Sequence, residues 1–137
     1  MSREPVRIFL VDDSLVIRTS LAEALEELGP VQVIGTANSE ASANAWLATN
    51  GSACDLVIVD ILLDAGSGLG VLRFAQKLTR PVLVVVLTSG ASADTHQRCL
   101  QLGARRVFDR ATEFDELLEY CARLSSGDTG FGELSTT

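Results

Sequence analysis

Three carboxylates, Asp12, Asp13 and Asp60, carry the chemistry this chain can offer. Asp60 closes the segment Cys54-Asp-Leu-Val-Ile-Val-Asp60, in which 56–59 is a continuous apolar run rich in β-branched residues. Such a run reads as a strand buried on both faces. Asp12 and Asp13 follow a second apolar run, Arg7-Ile-Phe-Leu-Val11. Parallel strands deliver their carboxyl ends to one edge of a sheet, where open α/β folds place their ligands. Acids gathered there repel one another and raise each other's pKa unless a cation neutralises them. All-oxygen, acidic ligation suits a hard divalent ion such as Mg2+. A Ca2+ loop of the EF-hand type is absent, because its acids would fall within a single run of about twelve residues. The plainer roles for these side chains are a loop cap at Asp60 and a helix cap at Asp12.

The elements that must position these acids alternate along the chain. A strand over 6–11 leads to Ser14, a capping residue for a helix with Ile17, Leu21, Ala24, Leu25 and Leu28 inward. Gly29-Pro30 stops that helix, and 31–34 reads as a short second strand. A second helix begins at Asn38 or Ser39, with Ala41, Ala45 and Leu47 available inward, and ends near Asn50-Gly51. After the strand that ends at Asp60 comes the turn-rich Asp64-Ala-Gly-Ser-Gly68 and a helix over about 69–78. Pro81 precedes the most apolar strand, 82–87, which ends at Thr88-Ser-Gly90. A helix over about 94–102 stops at Gly103, a brief strand covers 106–108, and Asp109-Arg110 follows. The last helix starts near Thr112 or Glu113 and uses Phe114, Leu117, Leu118, Cys121 and Leu124. This alternation predicts one α/β domain, a parallel sheet of five strands with helices on both faces, its strand order left open by the pattern.

Composition narrows the functional classes. At 137 residues the chain is expected to form a single domain, with a lead at 1–5 and a flexible Gly/Ser/Thr-rich tail at 125–137. No apolar run approaches the length of about 18 residues that a membrane span requires. Met1-Ser-Arg-Glu-Pro5 lacks the apolar stretch of a signal peptide, which predicts a cytoplasmic protein without membrane insertion. Cys54, Cys99 and Cys121 sit in apolar patterns with no metal-binding spacing, and His96 is the only histidine. The net charge of -7 opposes nonspecific binding to nucleic acid, so no direct nucleic-acid contact is expected. The one dense basic group, Arg105, Arg106 and Arg110, reads as site or surface residues.

Over residues 6–124 the chain resembles the receiver domain of two-component response regulators. The resemblance lies in the acid pair Asp12-Asp13, the aspartate Asp60, the hydroxyl residue Thr88 and the basic residue Arg110, with Gly66 to Leu69 and Gly103-Ala104 also in place. It implies a flavodoxin-like (βα)5 domain with strand order 2-1-3-4-5. It further implies that Asp60 accepts a phosphoryl group from a histidine kinase or histidine phosphotransfer protein, forming an acyl phosphate. Mg2+ is then expected on Asp12, Asp13, Asp60 and the backbone carbonyl of Leu62, neutralising the approach of two anions. Thr88 would donate its hydroxyl to the phosphoryl group, and Arg110 would supply a positive charge. The output is expected to be protein contact, through a downstream target or a missing output domain. The implied role is phosphorelay signalling in bacteria, not enzymatic turnover of an external substrate.

Several positions depart from that family. Arg110 stands where it places a lysine, and Ala111 often replaces a proline that bends the loop through a cis bond. Arginine keeps the charge, but its planar fork is longer and favours bidentate geometry. Val107 occupies the place of a rotating aromatic residue, and the adjacent Phe108 should point to the opposite face. These changes support an alternative, a phosphorylation-independent receiver-like interaction module. A haloacid dehalogenase-like phosphatase is disfavoured because Leu62 sits where a second aspartate belongs. A flavodoxin-like carrier is disfavoured because Asp12-Asp13 would repel a flavin phosphate. Leu62 and Gly90 occupy the places of residues that admit or orient hydrolytic water, and neither side chain can hold it. Phosphate on Asp60 is therefore expected to be lost more slowly than from Leu62→Asn, followed by intact mass over time; a half-life no longer than the variant's contradicts this.

Overall fold

A computed structural model describes residues 5–80 and 82–125. The expected lead (1–5) and tail (125–137) lie almost wholly outside them. The elements run β1 (Val6–Val11), α1 (Leu15–Glu26), β2 (Val31–Ala37), α2 (Glu40–Asn50), β3 (Leu56–Val59), α3 (Gly68–Gln76), β4 (Leu83–Thr88), α4 (Ala93–Gln101), β5 (Arg106–Asp109) and α5 (Phe114–Ser125). All neighbouring strands pair in parallel in the order β2-β1-β3-β4-β5. This is the doubly wound arrangement expected above.

Period-two alternation divides the core into two layers. Leu56 and Ile58 of β3 face Leu21, Leu25, Leu117 and Cys121 of α1 and α5. Val57 and Val59 face Ala43, Leu47, Val71, Leu72 and Cys99 of α2, α3 and α4. Phe108 joins the first layer and Val107 the second, as the alternation along β5 predicts. The free thiols are core residues, and burial pushes Cys54 up to about 11 and Cys121 up to about 12. They are therefore thiols, not reactive thiolates.

The structure lengthens and rephases two expected elements. β2 continues past Ile34 through Gly35, Thr36 and Ala37, which pair with Phe9, Leu10 and Val11 after a register shift. The reason lies in Trp46, whose ring stacks on Phe9 with centroids 4.0 Å apart and planes at 7°. A Cβ at Gly35 would sit 2.6 Å from Trp46 Cε2, so the glycine that looks like a strand breaker makes room for this ring. In α2 the inward residues are Ala43 and Leu47, while Ala41 and Ala45 are exposed. Ser39 sets that phase as N-cap, its side chain accepting from Ser42 N.

Gly68 fixes how the chain leaves β3. A Cβ there would run into the carbonyl oxygen of Asp60 and the Cα of Ile61. Both obstacles are backbone, so neither can swing aside. Gly68→Ala is expected to cost about 1–3 kcal/mol, read as a lower urea midpoint at unchanged m-value. An unaltered midpoint would show that the loop gives way freely.

Candidate functional site

Asp12, Asp60 and Arg110 each sit one step beyond a strand and are held there by backbone bonds that continue past it. Asp12 N donates to Ala37 O at 3.1 Å, Asp60 N to Val11 O at 2.9 Å, and Arg110 N to Thr88 O at 2.9 Å. Asp12 follows Ile8 and Leu10 in phase, Asp60 follows Leu56 and Ile58, and Arg110 follows Phe108. All three therefore continue rows that face α1 and α5.

The result is a shared ion pair. Arg110 Nη2 donates to Asp12 Oδ2 and to Asp60 Oδ2, each at 2.8 Å. Both carboxylate side chains are 8% exposed, against 26% for the arginine. Their other oxygens are engaged as well: Ser14 N donates to Asp12 Oδ1 and Leu62 N to Asp60 Oδ1, both at 2.9 Å. Burial raises Asp12 above its ordinary 3.8, against the opposing pull of the Ser14 amide and Arg110.

Asp13 lies apart from this triad. Its Oδ2 accepts from Asp64 N at 3.0 Å, and its charge raises the exposed Asp64 carboxyl. Asp12, Asp13 and Asp60 share one sheet edge and fit a hard cation in donor type. Among the described residues, however, no three acids are spaced to hold a metal. A guanidinium nitrogen takes the bridging position between two of them.

Thr88 is 1% exposed, and its hydroxyl oxygen has no hydrogen-bond partner. Arg110 Nε is likewise buried without one. Two unmatched donors beside a carboxylate cluster are costly unless something arrives to use them. Thr88 also borders a cavity of about 50 Å3, with Val107 and His96 among its lining residues. Val107 lines the space where an aromatic side chain would be bulkier. His96 is solvent-exposed.

Four supporting residues make bonds that the sequence did not single out. Arg18 Nη1 donates to the backbone carbonyl of Asp12. Glu40 Oε1 accepts from Ser67 N at 2.8 Å, which secures the loop after Asp60 to α2. Glu113 Oε1 accepts from Asp109 N at 2.8 Å. Asp109 itself receives Ala111 N at 2.8 Å, Thr112 N at 3.2 Å and Gly90 N at 3.4 Å. The capping habit of Asp and Glu could have flagged all but Arg18, and that habit does not name a partner. Leu62 is 64% exposed beside the site, and Leu15 and Val16 are 67% and 72% exposed at the start of α1. Arg105 and Arg106 lie at the opposite end of β5 from Arg110, with Arg106 over the Phe108 ring at 4.9 Å.

The response regulator receiver domain is the family whose model matches residues 8–122. The chain belongs to that family. It is similar to response regulator UvrY of Escherichia coli K12, 25% identical over 122 residues that make up 89% of this chain and 55% of UvrY. It is also 30% identical to protein-glutamate methylesterase/protein-glutamine glutaminase 5 of Myxococcus xanthus, over 79% of this chain and 31% of that protein. The chain thus spans about half the length of UvrY and about a third of the methylesterase. A response regulator receiver domain protein from Clostridium thermocellum shares the fold, with TM-score 0.78, 23% identity and coverage of 91% and 97%. The CheX–CheY–BeF3–Mg2+ complex from Borrelia burgdorferi does so with TM-score 0.74, 20% identity and coverage of 85% and 90%. The receiver fold, with acidic and basic side chains paired at its sheet edge, is that of a signalling module of two-component systems. No helix among the described residues is long and apolar enough to cross a membrane.

Asp109 braces the turn after β5 by accepting amides from its own loop and from Gly90. The amide of Ala111, with those of Thr112 and Gly90, holds its carboxyl below 3.8. A depressed folded-state pKa adds stability that is present above 3.8 and lost as pH falls through the lowered value. Asp109→Ala should therefore melt below the parent at neutral pH, with the gap closing under acid conditions. A gap that stays constant down to acid pH would remove the carboxylate from this role.

Proposed function

We propose that Asp60 is the phosphoryl acceptor of this receiver domain. The observation that carries the reading is the buried Asp60 carboxylate paired with Arg110, within a site that also holds the unmatched Thr88 hydroxyl. An Asp60 carboxylate oxygen attacks the phosphorus of a phosphohistidine, the P–N bond breaks and an acyl phosphate forms. The Thr88 hydroxyl and the guanidinium of Arg110 then donate to phosphoryl oxygens, which uses donors that the resting site leaves unmatched. Asp12, Asp13 and Asp60, with the backbone carbonyl of Leu62, would hold Mg2+. Bound there, it neutralises charge between two anions.

Drawing Thr88 toward phosphate moves the loop that ends in Gly90, and that loop is tied to Asp109. The signal therefore passes to the face of α4 and β5 as a population shift. The donor is a histidine kinase or histidine phosphotransfer protein, and exposed Leu15, Val16 and Leu62 provide an apolar rim for it. The recipient is a downstream protein or an output domain, with the signalling taking place in the cytoplasm.

Intact mass after incubation with acetyl phosphate or phosphoramidate, with and without Mg2+, tests the assignment. A Mg2+-dependent gain of one phosphoryl group, roughly 80 Da, is expected in the parent and absent in Asp60→Ala. A folded parent that gains nothing would favour the interaction-module reading.

A further inference from the structure

Asp60 is steadied by its own loop, because Leu62 N donates to Asp60 Oδ1 at 2.9 Å. Leu62 in turn forms an antiparallel bridge with Ser67 across that loop. Ser67 then leads out of it: its amide donates to Oε1 of Glu40, in the first turn of α2, at 2.8 Å. Glu40 N donates to Ala65 O at 3.1 Å, so one residue grips the loop by backbone and by side chain. Two glycines leave room for this grip. A Cβ at Gly66 would run into the Cβ of Glu40, and a Cβ at Gly70, in α3, would run into Oε2. A carboxylate in the first turn of a helix also complements the helix dipole. That role alone would require neither the two glycines nor the bond from Ser67.

We propose that Glu40 is a positioning residue for Asp60, acting from α2 through Ser67 and Leu62. Attack on phosphorus needs the Asp60 carboxylate held in one orientation, and looseness at the Leu62 amide becomes looseness of that carboxylate. Glu40 removes the looseness at its source, by fixing the far side of the loop. The tie brings α2 into the working of a site otherwise built from strand ends. It rests on the acceptor-site reading above and adds a residue 20 positions upstream of Asp60 to it.

Two readouts test this on the full chain: amide hydrogen exchange under native conditions, and the rate of phosphate uptake from acetyl phosphate with Mg2+, followed by intact mass. Glu40→Ala is expected to exchange the Ser67 and Leu62 amides about tenfold faster than the parent, with the strand amides unchanged. It should take up phosphate about tenfold more slowly. Gly70→Ala keeps Glu40 but displaces its carboxylate, so it should show the same two losses, and it serves if Glu40→Ala does not fold. The double variant should be no slower than either single one, because both act on one contact. Glu40→Gln keeps an acceptor for Ser67 N and should recover most of both losses, whereas a helix-dipole role predicts that it behaves like Glu40→Ala. A Leu62 amide that exchanges at the parent rate in Glu40→Ala, or phosphate uptake at the parent rate, overturns the proposal. A parent that takes up no phosphate counts against the acceptor reading alone, and exchange at Leu62 then decides the role of Glu40.

Discussion

One guanidinium nitrogen held between two buried carboxylates is the interaction on which this sheet edge depends. Asp12 and Asp60 are as buried as core residues. A charge in such a place is tolerated only when paired and hydrogen-bonded. β1 and β3 are adjacent and parallel, so their ends unavoidably bring the two acids together. β5 lies two strands away from β3, and the long arginine side chain spans that gap. A lysine could supply the same charge and donors from a compact ammonium; here one nitrogen of a longer, planar guanidinium donates to both carboxylates.

Around this triad the loops are tied to one another. Glu40 holds the loop after Asp60 from the side of α2. Asp109 receives amides from its own loop and from the loop after Thr88. The loop after β5 thus has a side-chain brace where an X-Pro bond would otherwise restrict it. A separate backbone bond, from Arg110 N to Thr88 O, links Thr88, whose hydroxyl lacks a partner, to the segment that carries Arg110. A shift at either loop is felt at the other, which is the kind of coupling a two-state switch needs.

The sheet, its helices and the acids at its edge were legible because they rest on short-range patterns. Apolar β-branched runs mark buried strands, and Ser14, Ser39, Ser67 and Ser92 cap helices by bonds to amides two or three residues on. Alternation along β5 correctly separated Val107 from Phe108. Two local patterns misled. The second strand was expected to stop at Ile34, but it runs on through Gly35, over which the ring of Trp46 lies from α2. The alanines of α2 could not set its phase, since small apolar residues occur on both of its faces.

The sequence alone determined that Asp12, Asp13, Asp60, Thr88 and Arg110 come to the carboxyl edge of a parallel sheet. Strand direction and period-two alternation require it. Which charges meet there was settled only in three dimensions. Arg110 is separated from Asp12 by 98 residues and from Asp60 by 50, and its bonds to them depend on strand order and side-chain reach. Asp13, next to Asp12 in the chain, instead accepts from Asp64. Neighbouring residues at a strand end face different partners, so adjacency in sequence does not make adjacent charges act together.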